Sequence, residues 1–147
     1  MVRQLNPVAR FCSELNHGDA GMRFRACAGL SALGRAARAA LPELHRRLTD
    51  EVFYVREAAI DALASVNGPD ACAALIPCLS DPHWRVRERA ARVLGELRAR
   101  AAPAALALRQ ALCDMDPAVR EAAALALEKI PSASSTMLAH SHTTIAA

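Results

Sequence analysis

A short pattern of residues returns four times along this chain, and it limits what the chain can fold into more than any other feature. Taking Val86 as the origin, the matching positions are Met22, Val55, Val86 and Val119, spaced by 33, 31 and 33 residues. Each is followed at once by arginine, as Arg23, Arg56, Arg87 and Arg120. Four residues on stands Ala26, Ala59, Ala90 or Ala123; eight on, Leu30, Leu63, Leu94 or Leu127; eleven on, Leu33, Val66, Leu97 or Ile130. Offsets of 4, 8 and 11 fall on one face of an α-helix. Four such stripes at a near-constant interval are the mark of a solenoid, in which each unit buries its apolar face only by stacking on its neighbours.

Composition narrows the building material. Hydrophobic residues make up 53% of the 147 residues but aromatics only 3%, so the core is built from Ala, Leu and Val, types that favour closely packed helices. The net charge of +3 is local. Residues 81–100 hold six arginines (85, 87, 89, 92, 98 and 100) against Asp81, Glu88 and Glu96, and the rest of the chain sums to zero. Whole-chain charge therefore argues little for nucleic acid. The five cysteines (12, 27, 72, 78 and 113) are odd in number and form no CxxC pair, which points to small hydrophobes in a reducing, cytoplasmic setting. The first residues show no apolar secretory core, and no apolar run is long enough to span a bilayer.

Turn and cap signals divide residues 7–130 into eight helices. Asn6 caps a helix from Pro7 to Leu15, and a second runs from Ala20 to Leu33 with Gly34 at its C-cap. Further helices are expected at about 39–48, 52–66, 71–79, 83–97, 103–112 and 117–130. Pro42 lies in a first turn, where a missing amide is tolerated, whereas Pro77 lies late in its helix and should bend or shorten it. The predicted fold is all-α, a right-handed α-solenoid of four helical hairpins covering residues 6–34, 35–67, 68–98 and 99–130. Residues 131–147 contain no Asp, Glu, Lys or Arg and no periodicity, and are expected to form a flexible tail.

These columns resemble the HEAT repeat family, in the short bacterial form known from phycobilisome lyases. The third copy reads Leu79-Ser80-Asp81-Pro82-His83-Trp84-Arg85-Val86-Arg87, then Ala90, Leu94-Gly95 and Leu97. The fourth reads Leu112-Cys113-Asp114-Met115-Asp116-Pro117-Ala118-Val119-Arg120, then Ala123, Leu127 and Ile130. The first departs most, with His17 in the Asp column and Met22 for Val. The resemblance implies that the Val-Arg helices line the concave side of the superhelix. It also implies a structural ladder of Asp50, Asp81 and Asp114 with Arg56, Arg87 and Arg120, within a repeat or between adjacent ones. An arginine at the second position of an inner helix needs its charge compensated.

Around the core stripe, positions −2, −1, +2, +3 and +6 are expected to face outward. In the third repeat they hold Trp84, Arg85, Glu88, Arg89 and Arg92; in the second, Phe53, Tyr54, Glu57, Ala58 and Asp61; in the fourth, Pro117, Ala118, Glu121, Ala122 and Leu125. Aromatic and arginine side chains dominate binding hot spots, so Phe53, Tyr54, Glu57, Trp84, Arg85, Glu88, Arg89 and Arg92 are the candidate partner-binding residues. Trp84 and Phe53 either face a ligand or pack across the turns. Arg85, Arg89 and Arg92 share one helix face, interrupted by Glu88 and Glu96. Arg35, Arg38, Arg46 and Arg47 read as solubility charges, and Gly29 as an ordinary helix position.

Catalytic and metal motifs are not found. The histidines lack HExxH spacing, Cys72 and Cys78 lie six apart with no histidine between them, and no GxSxG or phosphate-binding glycine loop occurs. The sequence thus points to a non-catalytic protein-binding scaffold without cofactor or metal, its partner a protein with an acidic or aromatic-binding surface. The alternatives are nucleic-acid binding through the basic third repeat, or a lyase- or chaperone-like partner subunit for a cofactor-bearing protein. The apolar surface of residues 7–33 is the candidate for homodimerisation through an end repeat.

Overall fold

The computed structural model describes residues 6–131, so residues 1–5 and almost all of the expected tail lie outside the described range. It is all-α, with no strand among the described residues. The helices are α1 (Pro7–Glu14), α2 (Ala20–Leu33), α3 (Leu41–Arg47), α4 (Phe53–Asn67), α5 (Cys72–Leu75), α6 (Trp84–Glu96), α7 (Ala105–Ala111) and α8 (Pro117–Lys129). The long α2, α4, α6 and α8 pack on one another in chain order and form one layer, here called inner. The shorter helices form the outer layer.

Eight full helices were expected; seven reach seven residues or more, and α5 is a single turn. Pro77 explains this, because it has no amide to continue the ladder, and the chain runs on as a 3-10 segment over Ile76–Ser80. Helices α3, α5 and α7 each open through a 3-10 turn, at Gly34–Ala40, Gly68–Ala71 and Arg98–Ala104. Gly34 and Gly68 enter these turns at φ +53° and +56°, where an L side chain is strained. Arg98 takes the same left-handed position at φ 51°, without glycine's freedom.

Most of the core stripe is buried: Ala26, Leu30, Val55, Ala59, Leu63, Val86, Ala90, Leu94, Val119 and Ala123 are fully enclosed, whereas Met22, Leu33, Leu97 and Leu127 are partly exposed. Two apolar clusters result. One joins Leu15, Cys27, Leu30, Leu44 and Leu63, and the other joins Ile60, Leu75, Leu94, Leu108 and Val119. Helix α4 feeds both, Leu63 one way and Ile60 the other, as an interior repeat must. Burial raises the thiols of Cys27 to about 12 and of Cys78 to about 11, so both act as small apolar side chains.

At the N-terminal end α1 turns its apolar residues inward. Val8, Phe11 and Cys12 pack on the first cluster. A Cβ at Gly29 would lie 2.3 Å from the Phe11 ring, so Gly29 is the seat of that ring and not an ordinary helix position. This docking covers part of the apolar surface on residues 7–33 on which self-association was expected.

Candidate partner-binding face

The turns between outer and inner helices lock into a repeated polar ladder. Arg23 donates from Nε and Nη2 to both carboxylate oxygens of Asp50, at 2.8 and 2.9 Å. Arg56 does the same to Asp81 (2.7 and 2.8 Å), and Arg87 to Asp114 (2.7 and 2.8 Å). The third guanidinium nitrogen, Nη1, donates to the two carbonyls of its own turn: His17 and Gly18, Asp50 and Glu51, Asp81 and Pro82, Asp114 and Met115. Each aspartate also accepts from the amide two residues on, in Val52, His83 or Asp116. One arginine thus ties two turns together, and one aspartate shapes its own turn while holding the arginine of the repeat before.

Every two-pronged Arg–Asp pairing of the ladder therefore runs between adjacent repeats, which makes Arg23 a member of the ladder beside the residues expected. His17 keeps half of the aspartate's role, since its Nδ1 accepts from the Asp19 amide at 3.0 Å. Arg120 holds its two carbonyls but meets no carboxylate among the described residues. Arg47, expected to be a solubility charge, donates to Asp50 at 3.0 Å and is largely enclosed, its buried Nε without a hydrogen-bond partner among the described residues.

Burial works to raise the Asp50 carboxyl, but the Arg23 guanidinium, the Val52 amide and Arg47 together hold it below the ordinary carboxylate range. Asp114 is lowered chiefly by its hydrogen bonds from Arg87, against the opposing effect of burial. The same bonds raise Arg23 and Arg87.

Beside the turns, the N-terminal parts of α2, α4 and α6 and the N-cap residue His83 carry an aromatic row. Phe24 meets Tyr54 edge to face with centroids 6.0 Å apart, and Tyr54 meets Phe53 likewise at 5.7 Å. Phe53 stacks flat on His83 at 3.8 Å, and His83 adjoins Trp84 at 6.2 Å. Phe53 is half-buried and packs across the turns, whereas Phe24 (43%), Tyr54 (38%) and Trp84 (43%) are open to solvent. The sequence reading missed Phe24 and His83. Phe24 occupies the +2 column that holds Glu57, Glu88 and Glu121 elsewhere, so the column itself carried the signal.

The third-repeat arginines do not form a free basic face. Arg85 pairs with Glu57 at 3.5 Å and lies over the Phe53 ring; Arg89 pairs with Asp61 at 2.6 Å; Arg92 pairs with Glu88. Position +3 also differs from expectation, for Ala58 and Ala122 are buried against the preceding inner helix. Arg89, at the same position, reaches back in the same direction to Asp61. Glu121 and Leu125 are exposed, while Ala118 is partly enclosed. Between α2 and α4 opens a groove of ≈ 590 Å³, lined by Phe24, Ala28, Tyr54, Glu57, Ala58, Asp61 and Arg85. No cluster of three metal-ligating side chains occurs among the described residues, and no helix there is long and apolar enough to cross a membrane.

Comparison with solved structures supports this fold. A chain of the complex of CpcE and CpcF of phycocyanin lyase from Nostoc sp. PCC7120 is 22% identical with a TM-score of 0.63, over 95% of this chain and 91% of that one. Crystal structures of two engineered proteins are 22% and 21% identical, with TM-scores of 0.62 and 0.60, each over 85% of this chain. This chain spans 62% and 38% of their lengths, less than two thirds of either. No curated protein matches. The sequence profile of HEAT repeats matches residues 8–94 and 72–141, nearly the whole chain, and with the three Asp–Arg rungs described above it shows that this protein belongs to the HEAT repeat family.

Proposed function

We propose that this chain is a non-catalytic protein-binding scaffold whose partner site lies on the inner-helix face, around Phe53, Tyr54, Glu57, Trp84, Arg85, Glu88, Arg89 and Arg92. One observation carries the reading. The chain has five aromatic residues, and three of them (Phe24, Tyr54 and Trp84) stand exposed in one row on a molecule whose interior is Ala, Leu and Val. Exposed aromatics on a rigid repeat array offer large contact area at small entropic cost. Within the candidate set, Phe53 and the ion pairs Arg85–Glu57, Arg89–Asp61 and Arg92–Glu88 hold the surface in shape, and Tyr54 and Trp84 provide the contact. Because those arginines are already neutralised, binding should depend only weakly on salt, unlike phosphate-backbone binding.

Site-specific photocrosslinking in the native cell tests this. A photoreactive residue at position 84 should capture a partner, and one at the outer-layer position 106 should not. Capture from position 106 alone would overturn the reading. A second reading, a subunit of a two-chain assembly serving a cofactor-bearing protein, is favoured by the 91% coverage of the lyase-complex chain. It predicts that the crosslinked species is another HEAT-type chain or a protein bearing a chromophore.

A further inference from the structure

The polar ladder has four arginines but only three carboxylates to receive them. All four arginines are gripped in the same way, by Nη1 on the two carbonyls of their own turn, and for Arg120 these are Asp114 and Met115 at 2.7 and 3.1 Å. In Arg23, Arg56 and Arg87 that grip leaves Nε and Nη2 pointing at the aspartate of the following turn, 27, 25 and 27 residues on. On Arg120 the same two donors meet no acceptor among the described residues. All 15 Asp and Glu side chains fall within residues 14–128, inside the described range, so none of them is left to complete this rung. The two carboxylates of its own turn are engaged elsewhere: Asp114 gives both oxygens to Arg87, and Asp116 caps α8 through the Ala118 amide.

The apolar residues around Arg120 are uncovered in the same sense. At +5 on the inner helices Cys27, Ile60 and Ala91 are fully enclosed, and at +8 so are Leu30, Leu63 and Leu94; on α8 the same columns hold Ala124 and Leu127, which are partly exposed. Leu112, two residues before Asp114, is 39% exposed, whereas Leu15 and Leu79 at that place keep 0% and 7% and Leu48 packs on both clusters. In the earlier repeats the cover comes from the repeat that follows, as at Gly95, where a Cβ would lie 2.8 Å from Cα of Ala126. An oriented two-pronged cation inside such an apolar margin is the complement of one kind of surface, the aspartate-bearing turn and inner helix of a further repeat. A second copy of this chain does not offer it in that stacking, because its first turn carries His17 in the aspartate column, with Nδ1 already bound to the Asp19 amide. We propose that a helical hairpin of another protein stacks on α7 and α8, its turn aspartate accepting from Nε and Nη2 of Arg120. This end-on site is separate from the aromatic row and does not depend on it.

The test uses the full chain with a photoreactive residue at position 128. That place is exposed on α8 and lies in the column where Ser31 bonds Ser65, and Gly95 meets Ala126, of the next repeat. Crosslinking in the native cell is followed by peptide mass spectrometry of the adduct. The expected adduct is with a different protein, at a peptide whose aspartate lies just before a helix. Arg120→Glu should lower the yield at least about tenfold, with circular dichroism showing the variant folded. Changing the mapped aspartate to arginine in the partner should restore capture by Arg120→Glu, which a merely structural role of Arg120 does not allow. An adduct with a second copy of this chain, with its own residues 132–147 or with a peptide lacking an aspartate would overturn the inference. So would a yield that Arg120→Glu leaves unchanged, or the absence of any adduct from position 128. Capture from position 84 bears on the aromatic row alone, so either site can fail while the other stands.

Discussion

The first and third rungs of the ladder use the same two residue types with the same bidentate geometry, yet they sit in different surroundings. Arg23 and Asp50 keep 5% and 1% of their side-chain exposure, and Arg47 adds a third contact to the carboxylate. Arg87 and Asp114 keep 16% and 11% and have no such helper. Arg120 continues the series outward, exposed and without a carboxylate among the described residues. A repeated motif therefore does not carry a repeated energy. As burial deepens, desolvation grows and the attraction between the partners is less screened, so breaking the pair costs more even where forming it contributes little net stability.

Acid should expose this most fully, because it removes the charge of both aspartates at once. The folded-state values of Asp50 and Asp114 are depressed relative to ordinary carboxylates. Their contribution is therefore complete above about pH 4 and lost as pH falls through the depressed values, since the unfolded chain then binds more protons. Urea titrations across pH 5 to 2 should show a steep fall in stability; a flat profile would mean that the rungs do not hold the turns. Asp50→Ala comes next. It strands Arg23, and also Arg47, in a closed environment and should cost about 3–5 kcal/mol in chemical denaturation. Asp114→Ala, at the more open rung, should cost about 1.5–3 kcal/mol. It should also flatten its share of the acid limb, as Asp50→Ala should flatten the other. Equal losses from the two aspartate variants would refute the burial argument. Arg120→Ala, at the open end, should change stability by no more than about 1 kcal/mol. A larger loss would show that its two carbonyl contacts carry the last turn by themselves.

Legibility in the sequence followed from how local each feature is. The stripe at 0, +4 and +8 is a property of helix geometry, so its burial could be read from spacing alone. The caps at Asn6 and Gly34 and the shortening caused by Pro77 were equally local. Ladder pairing was less so. The resemblance to HEAT repeats implied that the Asp and Arg columns meet, but not whether Asp50 takes Arg56 from its own repeat or Arg23 from the one before. The outward columns were read least well. Position +3 looks exposed on an isolated helix, yet it faces the preceding repeat, which buries Ala58 and Ala122 and turns Arg89 onto Asp61. That contact converts a basic stripe into a set of ion pairs, which no periodicity within one helix reveals. Gly29 is similar, for its missing side chain matters only because Phe11 arrives from another helix.

The sequence by itself determined the repeat, the helices, the buried stripe and the residue types at each turn, because these rest on interactions within one or two turns of chain. Only the tertiary structure decided which charges are spent in pairs, which aromatics stand exposed, and where a groove opens between α2 and α4. Those outcomes depend on how one repeat is seated on the next, and that seating sets the surroundings, and hence the energy, of every polar contact between them.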